Sequence, residues 1–263
     1  MPVLGAEIAG VDLSRPLDDA TYALIRQTYN ERGAVFFRDQ DMDAEQFAAF
    51  ARRFGKLTAS KIATFIEGSD EVSSIWKDED AEANLGNHWH TDQATREFPV
   101  MGTLLLARKV PRSGGDTMFI SMAAAYEALS DGLKETLRGL RAVHSNITSA
   151  SHAMHRAKLG VAGAGEEAVH PVVGVHPETG RLVLYVNPKY TVRIDGWTAA
   201  ESAGLLGYLY EHAQRPEFQG RFRWTAGTLG FWDNRQLWHY AVNDYPGGER
   251  VMYRLMVDGP FLQ

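Results

Sequence analysis

The sequence predicts a mainly β fold with helices packed outside it, a sandwich or barrel core carrying helical insertions. Three observations support this. Short apolar runs bounded by Gly, Pro, Asn and Asp recur along the 263 residues. Segments with helical spacing are few and interrupt those runs. There is neither an internal repeat nor a low-complexity block that would favour a solenoid or a disordered chain.

Residues 1–13 alternate weakly and predict short strands. Asp18 and Asp19 precede a helix in which Tyr22, Ile25 and Tyr29 share a face, with Gly33 as its stop. Ala34 to Phe37 reads as a buried strand ending at Arg38. Asp43 caps a second helix and Gln46 completes a capping box. Phe47, Phe50, Ala51 and Phe54 make one face of that helix apolar, and Gly55 is its expected stop. Glu71 to Trp76 predicts a strand, and 77–87 a polar loop. From Trp89 to Ser121 the pattern is short strands joined by turns, including the apolar run Met101 to Ala107 and a turn over 113–116. Ala125, Leu129, Leu133, Leu137 and Leu140 predict one helix over Ser121 to Leu140. Residues 146–168 are rich in Ser, Ala, Gly and His and long for a connection, which predicts a mobile lid. Val172 to Val175 and Leu182 to Val186 flank a hairpin turn at 176–180. Thr198 caps a helix reaching Gln214, and further strands are expected at 221–224, 229–232, 239–242 and 250–257.

Composition narrows the chemistry. Hydrophobic residues are 44% and charged residues 23%, ordinary for a globular protein with a sizeable core. A net charge of -6 gives no reason to expect nucleic acid or an anionic membrane as partner. The chain contains no cysteine, so disulfides and thiolate metal sites are excluded and any metal must be held by His, Asp or Glu. No apolar stretch reaches the roughly 18 residues of a membrane span, and residues 1–5 do not read as the start of a signal peptide. A cytoplasmic location is the expectation.

The sharpest local feature is Asn87-His88-Trp89-His90-Thr91-Asp92. On a strand, His88, His90 and Asp92 would share a face. An imidazole and a carboxylate two residues apart form half of a metal site, and two His plus one carboxylate leave open positions, as in non-haem iron(II) oxygenases. A bare His-X-Asp is a common short pattern and is weak evidence alone. His88 reads either as a solvated strand histidine or as a contact in the substrate pocket. A second constellation runs from Phe231-Trp232-Asp233-Asn234-Arg235 through Trp238-His239-Tyr240 to Arg250 and Arg254. A histidine there can supply a third ligand. The two arginines, four apart on one strand face, are either surface ion-pair partners or forks for an acid group.

Together these segments resemble the taurine and 2,4-dichlorophenoxyacetate dioxygenase (TauD/TfdA) family of Fe(II)/2-oxoglutarate-dependent oxygenases. The resemblance runs from Leu4-Gly5-Ala6-Glu7-Ile8 through 33–40, Arg53-Phe54-Gly55, Trp89-His90-Thr91-Asp92 and Ser113-Gly114-Gly115-Asp116-Thr117. It continues in Trp232-Asp233-Asn234-Arg235, 239–245 and the Arg250/Arg254 pair. It implies a double-stranded β-helix, or jelly roll, with helical insertions, as a single domain over residues 1–263. It implies that His90, Asp92 and His239 bind Fe(II). Arg250, eleven residues after His239, matches the arginine that pairs with the far carboxylate of 2-oxoglutarate, and Thr117 the threonine that supports it. Arg254 matches the arginine that meets the substrate's acid group. The implied reaction converts 2-oxoglutarate and O2 to succinate and CO2 while a C–H of a small carboxylate, sulfonate or sulfate ester is hydroxylated. A dimer or tetramer is implied as well.

The departures bear on substrate. Places that are polar around the pocket of the taurine enzyme fall on Ser60, Ala63 and Gly86, all small, which predicts a roomier pocket and disfavours taurine. The run Gln93-Ala94-Thr95-Arg96 replaces a more usual apolar-aromatic continuation, and either reshapes the entrance or is surface. Desaturation, cyclisation or isonitrile formation at the same iron centre, and a non-catalytic jelly roll that binds a metal or an acid, are the alternatives.

Overall fold

The computed structural model describes residues 3–59, 63–82, 84–147, 153, 157 and 165–263. In chain order the elements are β1 (Ala6–Glu7), α1 (Asp19–Arg32), β2 (Ala34–Phe37), α2 (Ala44–Arg52), β3 (Leu57–Thr58), β4 (Ser73–Lys77), β5 (Gly102–Lys109) and β6 (Thr117–Ser121). Then come α3 (Met122–Glu127), α4 (Asp131–Arg138), β7 (Arg141–Ser145), β8 (Glu167–Pro171), β9 (Val173–Val175), β10 (Leu182–Leu184) and β11 (Thr191–Ile194). The chain continues with α5 (Ala199–Ala213), β12 (Gln219–Phe222), β13 (Leu229–Asp233), β14 (Leu237–Ala241) and β15 (Arg250–Val257).

A large sheet runs β1-β2-β13-β5-β15-β3, with β4 also paired to β15. A second sheet, β12-β6-β14, faces it, and two small sheets, β11-β7-β8 and β9-β10, complete the β structure. The alternation of side chains along each strand divides the core into three layers. Val35, Phe37, Leu104, Leu106, Leu229, Phe231, Leu255 and Val257 point away from the second sheet and pack with Ile25 and Tyr29 of α1 and Phe47 and Phe50 of α2. Their neighbours Ala34, Phe36, Leu105, Ala107, Trp232 and Met252 point inward and meet Phe119, Phe222 and Leu237 of the second sheet. On the far side of that sheet, Ile120 and Trp238 pack with α3, α4, α5 and the small sheets. The expected sandwich with helices outside is this arrangement, and the inner layer is where a site can form.

Local chemistry accounts for the element ends. Asp18 accepts from the backbone of Thr21, and Gly33 closes α1 in the left-handed conformation at φ 73°. Both the Asp43/Gln46 and the Thr198/Glu201 capping boxes are formed. Gly55 is not the helix stop, since Arg53 is the C-cap of α2. A Cβ at Gly55 would lie 2.0 Å from the carbonyl oxygen of Asp258, so a close backbone approach requires glycine there. The single helix expected over 121–140 is two: Ser121 caps α3 and Ser130 caps α4. Ser130 offers an N-cap in the middle of the apolar repeat, and capping wins over periodicity. The segment expected to form a lid lies, for its greater part, outside the described residues.

Candidate active site

Asn87 to Asp92 does not form a strand, so the condition under which His88, His90 and Asp92 would share a face is not met. Residues 88–92 bend, with one isolated antiparallel bridge between His90 and His239. His90 N donates to His239 O at 3.2 Å and His239 N to His90 O at 2.8 Å, which sets the two histidines side by side. A turn brings Asp92 to them. Gln93 takes φ 56°, an uncommon value for a residue with a Cβ. Thr91 is anchored by its hydroxyl to the carbonyls of Asn234 at 2.7 Å and Leu237 at 2.9 Å. Asp92 N donates to Asn234 Oδ1 at 3.3 Å. With the strand goes the reason for placing His88 on the ligands' face. Its side chain is exposed, and its carbonyl accepts from His90 Nδ1 at 2.7 Å.

His90, Asp92 and His239 each present a ligand atom within 4.8 Å of the others. His90 Nε2 is 3.5 Å from Asp92 Oδ1, His239 Nε2 is 3.7 Å from Asp92 Oδ2, and the two rings are 4.1 Å apart. Because His90 Nδ1 gives its proton to the His88 carbonyl, the lone pair on Nε2 is free for a metal. Asp92 Oδ2 accepts from Thr103 Oγ1 at 2.7 Å, and Thr103 accepts from Asn234 Nδ2 at 2.9 Å. Burial opposes ionisation of Asp92, but His239 and His90 outweigh it and hold the carboxyl far below its usual range. Burial, reinforced by the charge on His90, pushes His239 down to about 3, and burial lowers His90 as well. Near neutral pH the donor set is one carboxylate and two neutral imidazoles, which fits a divalent metal bound on one face.

Arg250 and Arg254 lie on the inward side of β15 with Met252 between them. Arg250 is buried, and its Nε and Nη2 have no hydrogen-bond partner among the described residues. Burial lowers its pKa, and its guanidinium lies 5.9 Å over the Trp224 ring. Trp224 Nε1 in turn donates to Thr117 Oγ1 at 2.9 Å. A buried cation with open donors is costly unless an anion completes it. An anion beside Arg250 would complete these open donors. Arg254 is half-buried, donates weakly to Ser73 Oγ at 3.4 Å, and its charge is felt by both Asp92 and His239.

Four contributors were not read from the sequence. Thr103 was legible in principle, as a lone polar residue inside the apolar run 101–107. Asn234 was seen as part of a motif, without its role in holding Asp92. Trp224 and Lys189, the latter close enough to influence both imidazoles, carry no local signal. Among the small residues, a Cβ at Gly86 would sit 3.4 Å from His90 Cε1, in van der Waals contact with the metal ligand, so Gly86 lies beside the site. Ala63 is half-buried and Ser60 lies outside the described residues. Arg96 pairs with Asp258 at 3.5 Å.

Residues 1–256 match the family described as "Taurine catabolism dioxygenase TauD, TfdA family". The chain is 34% identical to an alpha-ketoglutarate-dependent sulfate ester dioxygenase of Pseudomonas putida, over 97% of this chain and 87% of that protein. It is 33% identical to an (S)-phenoxypropionate/alpha-ketoglutarate-dioxygenase of Sphingobium herbicidovorans, over 97% and 92% of the two chains. The crystal structure of a taurine dioxygenase from Burkholderia xenovorans superposes with a TM-score of 0.84 at 39% identity, covering 98% of this chain and 89% of that one.

Proposed function

The chain belongs to the TauD/TfdA family of Fe(II)/2-oxoglutarate dioxygenases, and from that premise we propose that it hydroxylates a C–H bond of a small carboxylate, sulfonate or sulfate ester. It has the family's jelly-roll fold and is an Fe(II)/2-oxoglutarate-dependent dioxygenase acting on a small anionic substrate. His90, Asp92 and His239 would hold the iron. When bound, the iron with 2-oxoglutarate and O2 supplies the oxidation, releasing succinate and CO2.

The chain's own residues do the rest. Arg250, helped by Thr117, would take the far carboxylate of 2-oxoglutarate and so fix which end meets the metal. Thr103 and Asn234 orient the Asp92 carboxylate. Arg254 would meet the acid group of the substrate, placing its C–H beside the metal. His88 contributes its backbone carbonyl, which holds the His90 ring, rather than its exposed side chain. The small Gly86 beside His90 supports a roomier pocket than one shaped for taurine. Residues 1–263 are read as one domain, a homo-oligomer is assigned by likeness to the family, and the cytoplasm stays the expected location.

The observation that carries this reading is Arg250, buried with two open nitrogens, in the same inner layer as an ionised Asp92 and two neutral imidazoles. Under anaerobic conditions, protein with Fe(II) and 2-oxoglutarate should develop a weak visible charge-transfer band, which His239→Ala should abolish. In air, a panel of alkyl sulfates, sulfonates and aryloxyalkanoates should contain a compound that stimulates succinate release. Absence of any iron-dependent 2-oxoglutarate binding would sink the proposal. Product mass then separates hydroxylation from desaturation, cyclisation or isonitrile formation.

A further inference from the structure

Lys189 lies between β10 and β11 in the run Asn187-Pro188-Lys189-Tyr190-Thr191. The turn that carries it is tied at both ends. Tyr190 N donates to Asn187 Oδ1 at 2.9 Å, Asn187 N to Thr191 Oγ1 at 2.8 Å, and Thr191 N to Asn187 O at 3.0 Å. Its ammonium lies 5.2 Å from the centre of the Tyr190 ring, and that ring is 6.4 Å from the ring of His90. The side chain is thus held beside the metal ligands. It is only partly exposed, yet it forms no ion pair among the described residues. Burial lowers its pKa, and Asp92 is the anion that counters this. A lysine with no function in the site would be more stable with its ammonium in bulk water or against a carboxylate.

Charge balance gives this position a purpose. Iron(II) and the ionised Asp92 leave one positive charge, which 2-oxoglutarate and Arg250 together bring to zero. Arg254 and Lys189 then remain, two cations whose charges both reach Asp92 and His239. A sulfonate, a sulfate ester or a simple carboxylate neutralises only one. We propose that Lys189 is a second cationic substrate contact beside Arg254, and that the preferred substrate carries two negative charges, either on one phosphate-type group or on two acid groups. This deepens, and rests on, the reading of the site as an anion-oxidising dioxygenase.

The test uses the whole protein, loaded anaerobically with Fe(II) and 2-oxoglutarate, and follows the perturbation of the charge-transfer band as acids are added. Propyl sulfate, propyl phosphate and 3-sulfopropanoate are compared at about pH 8, roughly two units above the second pKa of a phosphate ester. At least one dianion should bind about tenfold tighter than propyl sulfate. Propyl phosphate against 3-sulfopropanoate tells whether the two charges sit on one group or two. Lys189→Met should weaken the preferred dianion about tenfold more than the sulfate, while Lys189→Arg should keep most of the preference. Formation of the band itself reports that the Lys189→Met protein is folded. A band that responds to propyl sulfate at least as well as to both dianions, or a preference that survives Lys189→Met, overturns the proposal and leaves the dioxygenase reading standing. Failure of the band to form at all removes both.

Discussion

Two buried arginines show how differently one side chain can be used. Arg235 is 1% exposed and saturated. Its Nε and Nη2 grip the two oxygens of Asp233 at 2.9 and 2.8 Å, and its Nη1 donates to Glu178 at 3.1 Å and to the Pro260 carbonyl at 3.0 Å. Asp233 also takes His176 Nε2 at 2.9 Å, and Glu178 takes Arg26 and Asn30, each at 2.6 Å. The network joins α1, the hairpin turn after β9 and the turn after β13. Arg250 is 4% exposed, about as deeply buried, and leaves two nitrogens unpaired among the described residues. A buried charge that is already neutralised holds the architecture together, whereas one left incomplete is a site for a ligand.

The largest expected effect breaks the saturated region. Arg235→Met leaves Asp233 ionised and buried without its fork, and should cost about 3–5 kcal/mol in urea-monitored unfolding. Activity should fall with it, because the same turn presents Asn234 and Leu237 to Thr91 and Asp92. The matching change in the open region should do the reverse. Arg250→Met removes an unpaired buried cation, so the stability of the protein without 2-oxoglutarate should hold or rise. Affinity for 2-oxoglutarate, read from the anaerobic band, should fall by about 2–3 kcal/mol for a lost charged fork. If Arg250→Met destabilises as much as Arg235→Met, the contrast between the two is wrong.

The sequence revealed these regions unequally, for physical reasons. Helix caps depend on a few neighbouring residues, so Asp18, Asp43 and Thr198 could be read directly. The inward pair Arg250 and Arg254 follows from strand alternation, but whether an arginine is saturated depends on residues brought up from other elements, Glu178 and the Pro260 carbonyl for Arg235 and Trp224 for Arg250. His90 and Asp92 were identified with the wrong geometry attached. They meet through a bend and the Gln93 turn, which depend on contacts with Asn234 and Leu237 across the fold. The merged helix over 121–140 failed because periodicity was weighed above the cap at Ser130. Lys189 carried no signal, since a lone lysine in a polar turn looks the same in solvent as beside a metal.

The two kinds of region should also separate along the pH axis. His144 is fully buried, its Nε2 has no partner among the described residues, and burial followed by nearby His170 pushes its pKa down to about 3. Between about 6.5 and 3 the unfolded chain therefore binds a proton that the folded one refuses, and stability rises with pH through that window. The slope has a ceiling of about 1.4 kcal/mol per pH unit. In the saturated network, burial works against Glu178, but the bonds from Arg26 and Asn30 bring it from 4.5 down to about 2. Its contribution is complete above 4.5 and is lost as pH falls toward 2. Unfolding free energies measured from pH 7 to 4 should thus begin to fall before the Glu178 pairs are touched. His144→Phe should flatten the upper part of that curve and leave the lower part in place. An unchanged slope above pH 5 would assign the early loss to other groups.

The smallest effect tests whether the saturated region reaches into the open one. Thr103 is the link, since it accepts from Asn234 and donates to the Asp92 oxygen that lies nearest His239. Thr103→Val keeps the shape and removes the hydroxyl. Asp92 then loses one of its hydrogen bonds but stays ionised, because His239 and His90 dominate its charge balance. Metal affinity should fall about tenfold, the lower end of what an outer partner of a ligand contributes. Overall stability should fall by about 1–2 kcal/mol, because the buried Asn234 Nδ2 loses its acceptor while Asn234 keeps its bond to the Asp92 backbone. Thr103→Ser, which restores the donor, should recover most of the affinity. If valine and serine bind metal alike, the carboxylate is oriented by the Gln93 turn and the Thr91 anchor alone, and the buried network stops short of the metal.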